Sequence, residues 1–541
     1  MATCAVWVLI AGRDLGFQGD EVFYYAHLTT RNGVIAPEHG IEYLFAPHNG
    51  HLVALGRLLY ELLFAGAGTN YFVFRLVAIL GYLVCVGLFF ELVRRRTSPL
   101  LALAFSISIL FLGFGYETLI WPFDLHTVFA LALGLGTLLA LEGENRRSDV
   151  LACVLLVLAV CLIELGLCFA VGVAVLVLLR EDRVRRLWIF AVPIGIYAVW
   201  WLWAHKYGQS EAHLVNVYLI PIDSVKALSA VAGSLFGINP TGAEIPVVLT
   251  TTTETGTALA GIAVVGLLWR VYRGDVPNTL WASLAILIAY WITIALGGRP
   301  PDTTRYILVG AVMVLLVIAD ALRGTRISPW ALAGVFALVA FAIPANVEKM
   351  IEGRNASLPI DRVSGVEFGM LDLVRDEGID PGYSPATEKR VIEFGGGLFV
   401  PLSAGDLYRS EDGYGSLGYS LEEVRAQEPF YRQVADATLV GALKLRLEKT
   451  NRPADAASCP SVIEAAPENP LYFDLEAGGA LLGSRTGEAV KVELSRFGDD
   501  PGIPVGELGP HRWATLRIPV DAAPDVWRAR VDGPVYVCPS P

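Results

Sequence analysis

Charge is what this sequence has least of. Only 17% of its 541 residues are Asp, Glu, Lys or Arg, where a soluble domain carries about 25%. Hydrophobic residues make up 54% of the chain and the mean hydropathy is +0.53. That balance excludes an ordinary soluble enzyme and points to a polytopic membrane protein with a soluble portion attached. A positive excess is missing as well. The formal net charge is -12, which argues against nucleic acid as a partner. Metal-type cysteine spacing is also absent. Five of the seven cysteines, Cys4, Cys85, Cys153, Cys161 and Cys168, lie in apolar runs as small buried hydrophobes, and no CxxC or Cys/His pattern suggests a zinc finger. Only Cys459 and Cys538 fall in the polar tail. Outside the cytoplasm they would join as a disulfide, the alternative being two free thiols. No repeat or low-complexity segment stands out.

What is present is a series of apolar runs separated by short polar turns. Ala2 to Gly12 is apolar but covers only about 16 Å of a hydrocarbon core about 30 Å thick, and it lacks the basic n-region of a signal peptide. Either the first helix is broken or the true start lies upstream, and the expectation is the latter. Tyr71 to Val93 is a full span, followed at once by Arg94, Arg95 and Arg96. Basic residues stay cytoplasmic, so the preceding loop faces outward. Further runs follow at Ser98 to Gly113, Thr127 to Leu141, Val150 to Ile163, Leu165 to Leu179, Leu187 to Ala204, Thr257 to Leu268, Leu280 to Leu296, Arg305 to Leu322 and Pro329 to Pro344. Every inside turn in this scheme carries Arg. It predicts about eleven spans, the N-terminus inside and the C-terminus outside. The long outer loop from His205 to Glu254 holds an amphipathic stretch, Leu214 to Phe236, suited to the membrane surface.

From Asn346 onward no span appears. A helix is expected around Val366 to Arg375 and a two-part helix over Leu421 to Glu448. Pro470 to Cys538 alternates polar and apolar residues between Gly, Pro and Asp turns, which predicts a small β-rich domain, a sandwich in type. The fold class expected is therefore a polytopic α-helical membrane protein with a C-terminal extracytoplasmic α+β domain. The division runs 1–345 for the multispanning domain, with a large first outer loop at 13–70, then 346–465 for a mixed helical region and 466–541 for the β-rich module.

The candidate chemistry sits in the outer loops. Gly16 to Arg57 opens with Asp20-Glu21 and carries four of the chain's eight histidines, His27, His39, His48 and His51. Adjacent acids just after a membrane span serve as a general base or as metal ligands, or else form a solvated acidic turn. The turn His48-Asn49-Gly50-His51 presents two imidazoles three apart, suited to a diphosphate, a sugar hydroxyl or a metal ion, or else to capping. If a divalent cation (Mg or Mn) is needed, Asp20, Glu21 and His48 are its candidate ligands. Glu117, Trp121, Asp124 and His126 lie in the turn between two spans, where Trp121 would stack on a sugar ring or serve as an interfacial belt residue. Glu164 sits between two apolar runs, an expensive place for an acid unless it is paired or functional. Arg299, Arg305 and Tyr306 flank the outer end of a late span and suit a phosphate at headgroup level, or pairing with Asp302. His205-Lys206 supplies further cations.

Taken together, the first span, the outer loop opening on Asp20-Glu21, the short spans with polar outer turns, Arg305-Tyr306 at the head of a late span and an extracytoplasmic tail resemble the GT-C class of integral membrane glycosyltransferases. The segments APHNGHL and YETLIWPFDLH are also similar to stretches in uncharacterised actinobacterial multispanning membrane proteins. The resemblance covers roughly Met1 to Pro344. It implies a plasma-membrane enzyme that moves a sugar from a polyprenyl-phosphate donor to a cell-envelope glycan or protein, with inversion. In that picture Asp20 or Glu21 is the base, Arg305 with Arg299 or His205-Lys206 holds the donor phosphate, and His48, Asn49, His51, Glu117 and Asp124 line the sugar pocket. The alternatives are a transporter or flippase of lipid-linked saccharides, which predicts repeats and charges deep within spans, and a non-catalytic envelope scaffold.

Overall fold

Each apolar run becomes a helix because a lipid-facing backbone has no water to bond and must satisfy its own N–H and C=O groups. The computed structural model describes residues 1–541 apart from 32–33, 38–39, 144, 209–211, 239–252, 275, 398–401, 452–458, 460, 477, 521–522 and 540–541. His39 and parts of the loop His205 to Glu254 therefore lie outside the described residues. Among those described, eight helices are long and apolar enough to cross a membrane, nine if the bent pair Pro99–Leu110 and Gly113–Ile120 counts as one broken span. Ala2–Ala11 and Leu165–Leu178 are apolar but shorter.

The chain divides into two units, Met1–Leu15 with His39–Ser357, and Gly16–Glu38 with Leu358–Pro541. The first unit is the helical bundle, and its contacts sort the helix ends into two groups. One end is basic. There Arg94 and Arg95 bond Glu91, Arg95 reaches Glu142, Arg186 clasps Asp149, and the buried Arg96 donates to Asp320. Arg270 donates to the Ala321 carbonyl and Asn278 to that of Leu179. The other end gathers Glu164 with His51, Glu117 with Arg305, and Asn346 with Phe114 and Ser234.

The stretch Leu214 to Phe236 is helical as expected, whereas the last apolar run differs from the expectation. Leu214–Leu219 is a 3-10 turn that feeds the helix Ile220–Leu235, and together they are long and apolar enough to span. Yet Asn216 at its start donates to the Leu296 carbonyl, and Ser234 near its finish accepts from Asn346. Both partners belong to the end that carries Glu117 and Arg305, so this helix begins and finishes at one end of the bundle. Pro329–Leu373 is a single 45-residue helix where a span ending at Pro344 and a separate helix near Val366 were expected. Pro344 and Pro359 each cost it one backbone bond.

The second unit pairs the C-terminal third with a short piece of the first loop. It holds the helices Ala404–Tyr414, Leu421–Arg425 and Pro429–Ala442 and two antiparallel sheets. One sheet runs Leu471–Asp474, Arg528–Val531, Val490–Ser495, Ile503–Leu508. The other runs Leu447–Thr450, Trp513–Ile518, Gly478–Ser484, Val535–Pro539, Ser461–Ile463. The period-2 alternation places Val490, Val492 and Leu494 inward with Leu516, Ile518 and Leu482. A disulfide joins Cys459 to Cys538 beside Trp513 and Leu481. From the first loop the unit takes the helix Asp20–Tyr25 and the antiparallel pair Leu28–Arg31 and Val34–Pro37.

Candidate active site

The polar end of the bundle is built around the tight turn His48-Asn49-Gly50-His51. His48 and His51 exchange backbone bonds of 3.1 and 2.9 Å across it, and Asn49 and Gly50 both have positive φ, 48° and 80°. Asn-Gly is the pair that this mirror-image turn demands. The turn is tied down on both sides. Trp200 donates its indole N–H to the Phe45 carbonyl at 2.8 Å, Leu55 N–H bonds Cys161, and the buried Arg57 donates to the carbonyls of Tyr43 and Ala46. Arg57 can do this because its own helix, Ala54–Ala67, starts just beyond the turn.

The two imidazoles so placed have different surroundings. His51 donates through Nδ1 to Glu164, whose side chain is mostly buried. This is the partner that an acid between two apolar runs requires, and it fixes the tautomer of His51. His48 packs on Phe123, whose ring touches His126, Trp121 and Tyr60 at 4.9–6.4 Å between centroids. Asp124 accepts from Thr127 at 2.6 Å. Trp121 Nε1 and Asp124 Oδ2 are buried and make no hydrogen bond among the described residues. A buried donor and a buried acceptor left over at one turn are costly unless a ligand completes them.

Beside this corner Glu117 accepts from Arg305 at 3.1 Å, and Thr118 donates to the Arg305 carbonyl. Glu117 is mostly buried while the Arg305 side chain is about half exposed, at 46%. Arg299 donates to the Tyr306 hydroxyl at 3.4 Å. Lys206 is placed otherwise than as a spare cation. It pairs with Glu42 at 2.8 Å and lies over the rings of Trp203 and Tyr207, an interfacial anchor. His205 is exposed and packs on Trp201.

The structure thus brings His48, Trp121, Asp124 and His126 into one corner and Glu117 with Arg305 into one ion pair, all in the first unit. Asp20 and Glu21 belong to the second unit. Glu21 is fully buried and accepts from the Gln18 N–H, whereas Asp20 keeps part of its surface exposed. Among the described residues no group of three or more His, Cys, Asp or Glu side chains is arranged to hold a metal ion. Thr118 and Phe123 are additions to the residues that the sequence singled out, and Glu164, flagged there as needing a partner, finds it in His51. Of these only Glu164 carried a signal, its isolation between two apolar runs.

No model of a known protein family matches the chain, and no curated protein does. Among solved structures it is similar to the archaeal oligosaccharyltransferase AglB from Archaeoglobus fulgidus, seen in complex with an inhibitory peptide and a dolichol-phosphate. The identity is 15% and the TM-score 0.41, over 82% of this chain. This chain spans 63% of the length of that protein. A likeness at this level indicates neither activity nor substrate.

Proposed function

We propose that this chain is a membrane glycosyltransferase of GT-C type that moves a sugar from a polyprenyl-phosphate donor to a cell-envelope acceptor. The observation that carries the reading is the exposed Arg305 paired with Glu117, next to a corner of aromatic rings with an indole N–H and a carboxylate oxygen left over. A guanidinium at the bundle end suits a phosphate at headgroup level. Rings and unsatisfied polar atoms suit a hydroxyl-rich ring, which offers apolar faces and donors together.

In this reading the residues take the following roles. An acceptor hydroxyl attacks the anomeric carbon from the face opposite the phosphate. The bond from that carbon to the phosphate oxygen breaks, and the electron pair leaves with the phosphate. Arg305 neutralises the charge that develops there. The acceptor proton goes to a carboxylate of the first loop, and configuration inverts. Of the two acids Asp20 is the better base, because Glu21 is sealed from solvent against Gln18. The basic end of the bundle lies on the cytoplasmic face and the site on the outer face of the plasma membrane.

The test is envelope glycan composition in cells that carry Asp20→Asn with Glu21→Gln, compared with wild type at matched expression. The expected result is loss of one sugar with its lipid-linked donor accumulating. An unchanged glycan profile at normal protein level would remove the acidic pair from the mechanism and favour transport or scaffolding.

A further inference from the structure

We propose that Asp361 is a positioning residue, and that the segment Ala404 to Tyr419 is a clamp that seats the helix bearing Asp20. The inference rests on the reading of Asp20 as the base and assigns a part in it to the C-terminal unit. All of its parts lie in that second unit.

The seat starts from two glycines on the long helix. Gly365 and Gly369 are one turn apart and leave a shallow groove on one face. The backbone at Gly418 and Tyr419 lies in it. A Cβ on Gly365 would fall 2.4 Å from the Tyr419 ring, and one on Gly369 would fall 2.2 Å from the Tyr419 carbonyl oxygen. The Tyr419 N–H closes the contact by donating to the Gly365 carbonyl at 2.8 Å. This approach aims the Tyr419 hydroxyl back along the helix by one turn. There it donates to Asp361 Oδ2 at 2.8 Å.

The other oxygen of that carboxylate serves the first loop. Asp361 Oδ1 accepts the Gly16 N–H at 2.7 Å. Gly16 is required there, since a Cβ would lie 2.6 Å from the same oxygen. Asp361 is only 4% exposed and both bonds are partly buried, so the carboxylate has little water to fall back on. Gly16 begins the segment that turns into Asp20–Tyr25.

The far end of that short helix is held by the same clamp. Ser410 donates its hydroxyl to the Tyr25 carbonyl at 2.8 Å, and the Tyr25 hydroxyl donates to the Gly415 carbonyl at 2.7 Å. Tyr25 and Ser410 are both fully buried. A six-residue helix is too short to be stable alone. Pinned four residues before Asp20 and five after it, the helix cannot turn or slide, and the direction of the Asp20 carboxylate is set by the C-terminal unit. A base that must meet one hydroxyl proton needs that constraint, because a shift of about 1 Å costs on the order of 100-fold in rate.

The experiment uses the full chain in nanodiscs with a polyprenyl-phosphate sugar and envelope glycan as acceptor. Asp361→Ala, Asp361→Asn and Ser410→Ala are compared with wild type in two readouts, transfer kinetics and hydrogen exchange of the peptide Gly16–Tyr25. Asparagine still accepts the Gly16 N–H, so it separates the bond from mere folding. Support is faster exchange in Asp361→Ala, kcat lowered about 10- to 100-fold at an unchanged donor KM, and recovery of most of both in Asp361→Asn. Exchange at the wild-type rate in Asp361→Ala overturns the clamp itself. Faster exchange with unchanged kcat overturns the positioning role and leaves the seat purely structural. A wild-type chain with no transfer refutes the glycosyltransferase reading and the catalytic part of this proposal. The exchange result then still decides whether the seat exists.

Discussion

Asp436 is the residue whose loss should be felt most in the C-terminal unit. It lies on Pro429–Ala442, is 1% exposed, and takes three backbone N–H groups at 2.9 Å each. Oδ2 accepts from Arg496 and Gly498, and Oδ1 accepts from Phe497. The carboxylate thus fastens a helix to the turn after the strand Val490–Ser495. Asp436→Ala leaves three donors without a partner. The Phe497 and Gly498 bonds are buried, and each orphaned group there costs about 1–3 kcal/mol, while the Arg496 N–H can reach water. The sum is about 4 kcal/mol, a large part of a domain's usual 5–15 kcal/mol or so. Asp436→Asn should cost roughly half as much, because its carbonyl can replace Oδ2 while its amide faces the Phe497 N–H. Native-state hydrogen exchange over Pro429–Ala442 in the solubilised full chain reads the local opening free energy. A loss under about 1 kcal/mol in the alanine variant, or equal losses in both variants, would refute the reasoning, since the argument depends on the count of buried donors.

Three further outcomes are expected. Burial and the adjacent Asp372 carboxylate hold Glu411 well above its ordinary value near 4.5, against the opposing Arg375; folded Glu411 keeps a proton that the unfolded chain has shed, so stability falls as pH rises above that value. Glu411→Gln should flatten this fall, measured as proteolytic resistance of the tail across the pH range. Arg305→Ala should weaken donor-phosphate binding by about tenfold or more, whereas Glu117→Gln should strengthen it by releasing Arg305, both read by titration with a polyprenyl phosphate. Cys459→Ser with Cys538→Ser opens a loop with a sequence separation of 79, for which chain entropy alone gives about 4.5 kcal/mol; a denaturant midpoint for the tail that does not move would contradict it.

The helices of the bundle were legible because lipid removes the ambiguity that water leaves. An apolar run such as Leu280 to Leu296 has no stable choice but a helix, and an arginine cluster marks which end it finishes at. The β-rich module was legible from period-2 alternation in segments such as VKVELSRF. Long-range pairing was not. Glu164 advertises that it needs a partner, but nothing local says that the partner is His51, 113 residues away. Gly16 and Asp361 are 345 residues apart and carry no pattern in common. The helix through Pro344 was hidden for a different reason. Proline reads as a stop in water, whereas in hydrocarbon the rest of the chain must still satisfy its own N–H and C=O groups, and the helix runs on.

That separation of 345 residues between Gly16 and Asp361 also sets a clock. At about 5–20 residues per second of synthesis, the helix with Asp20 waits roughly 17–70 s for the residue that receives it. Through that interval the bundle is being inserted while its acidic helix has no seat. A chain interrupted between Leu373 and Tyr419 would contain every candidate span and still lack the seat for the helix that carries Asp20. If Asp20 is the base as proposed, competence arrives late and all at once, when the last third of the protein folds, and an unfinished copy left in the membrane is expected to be inert.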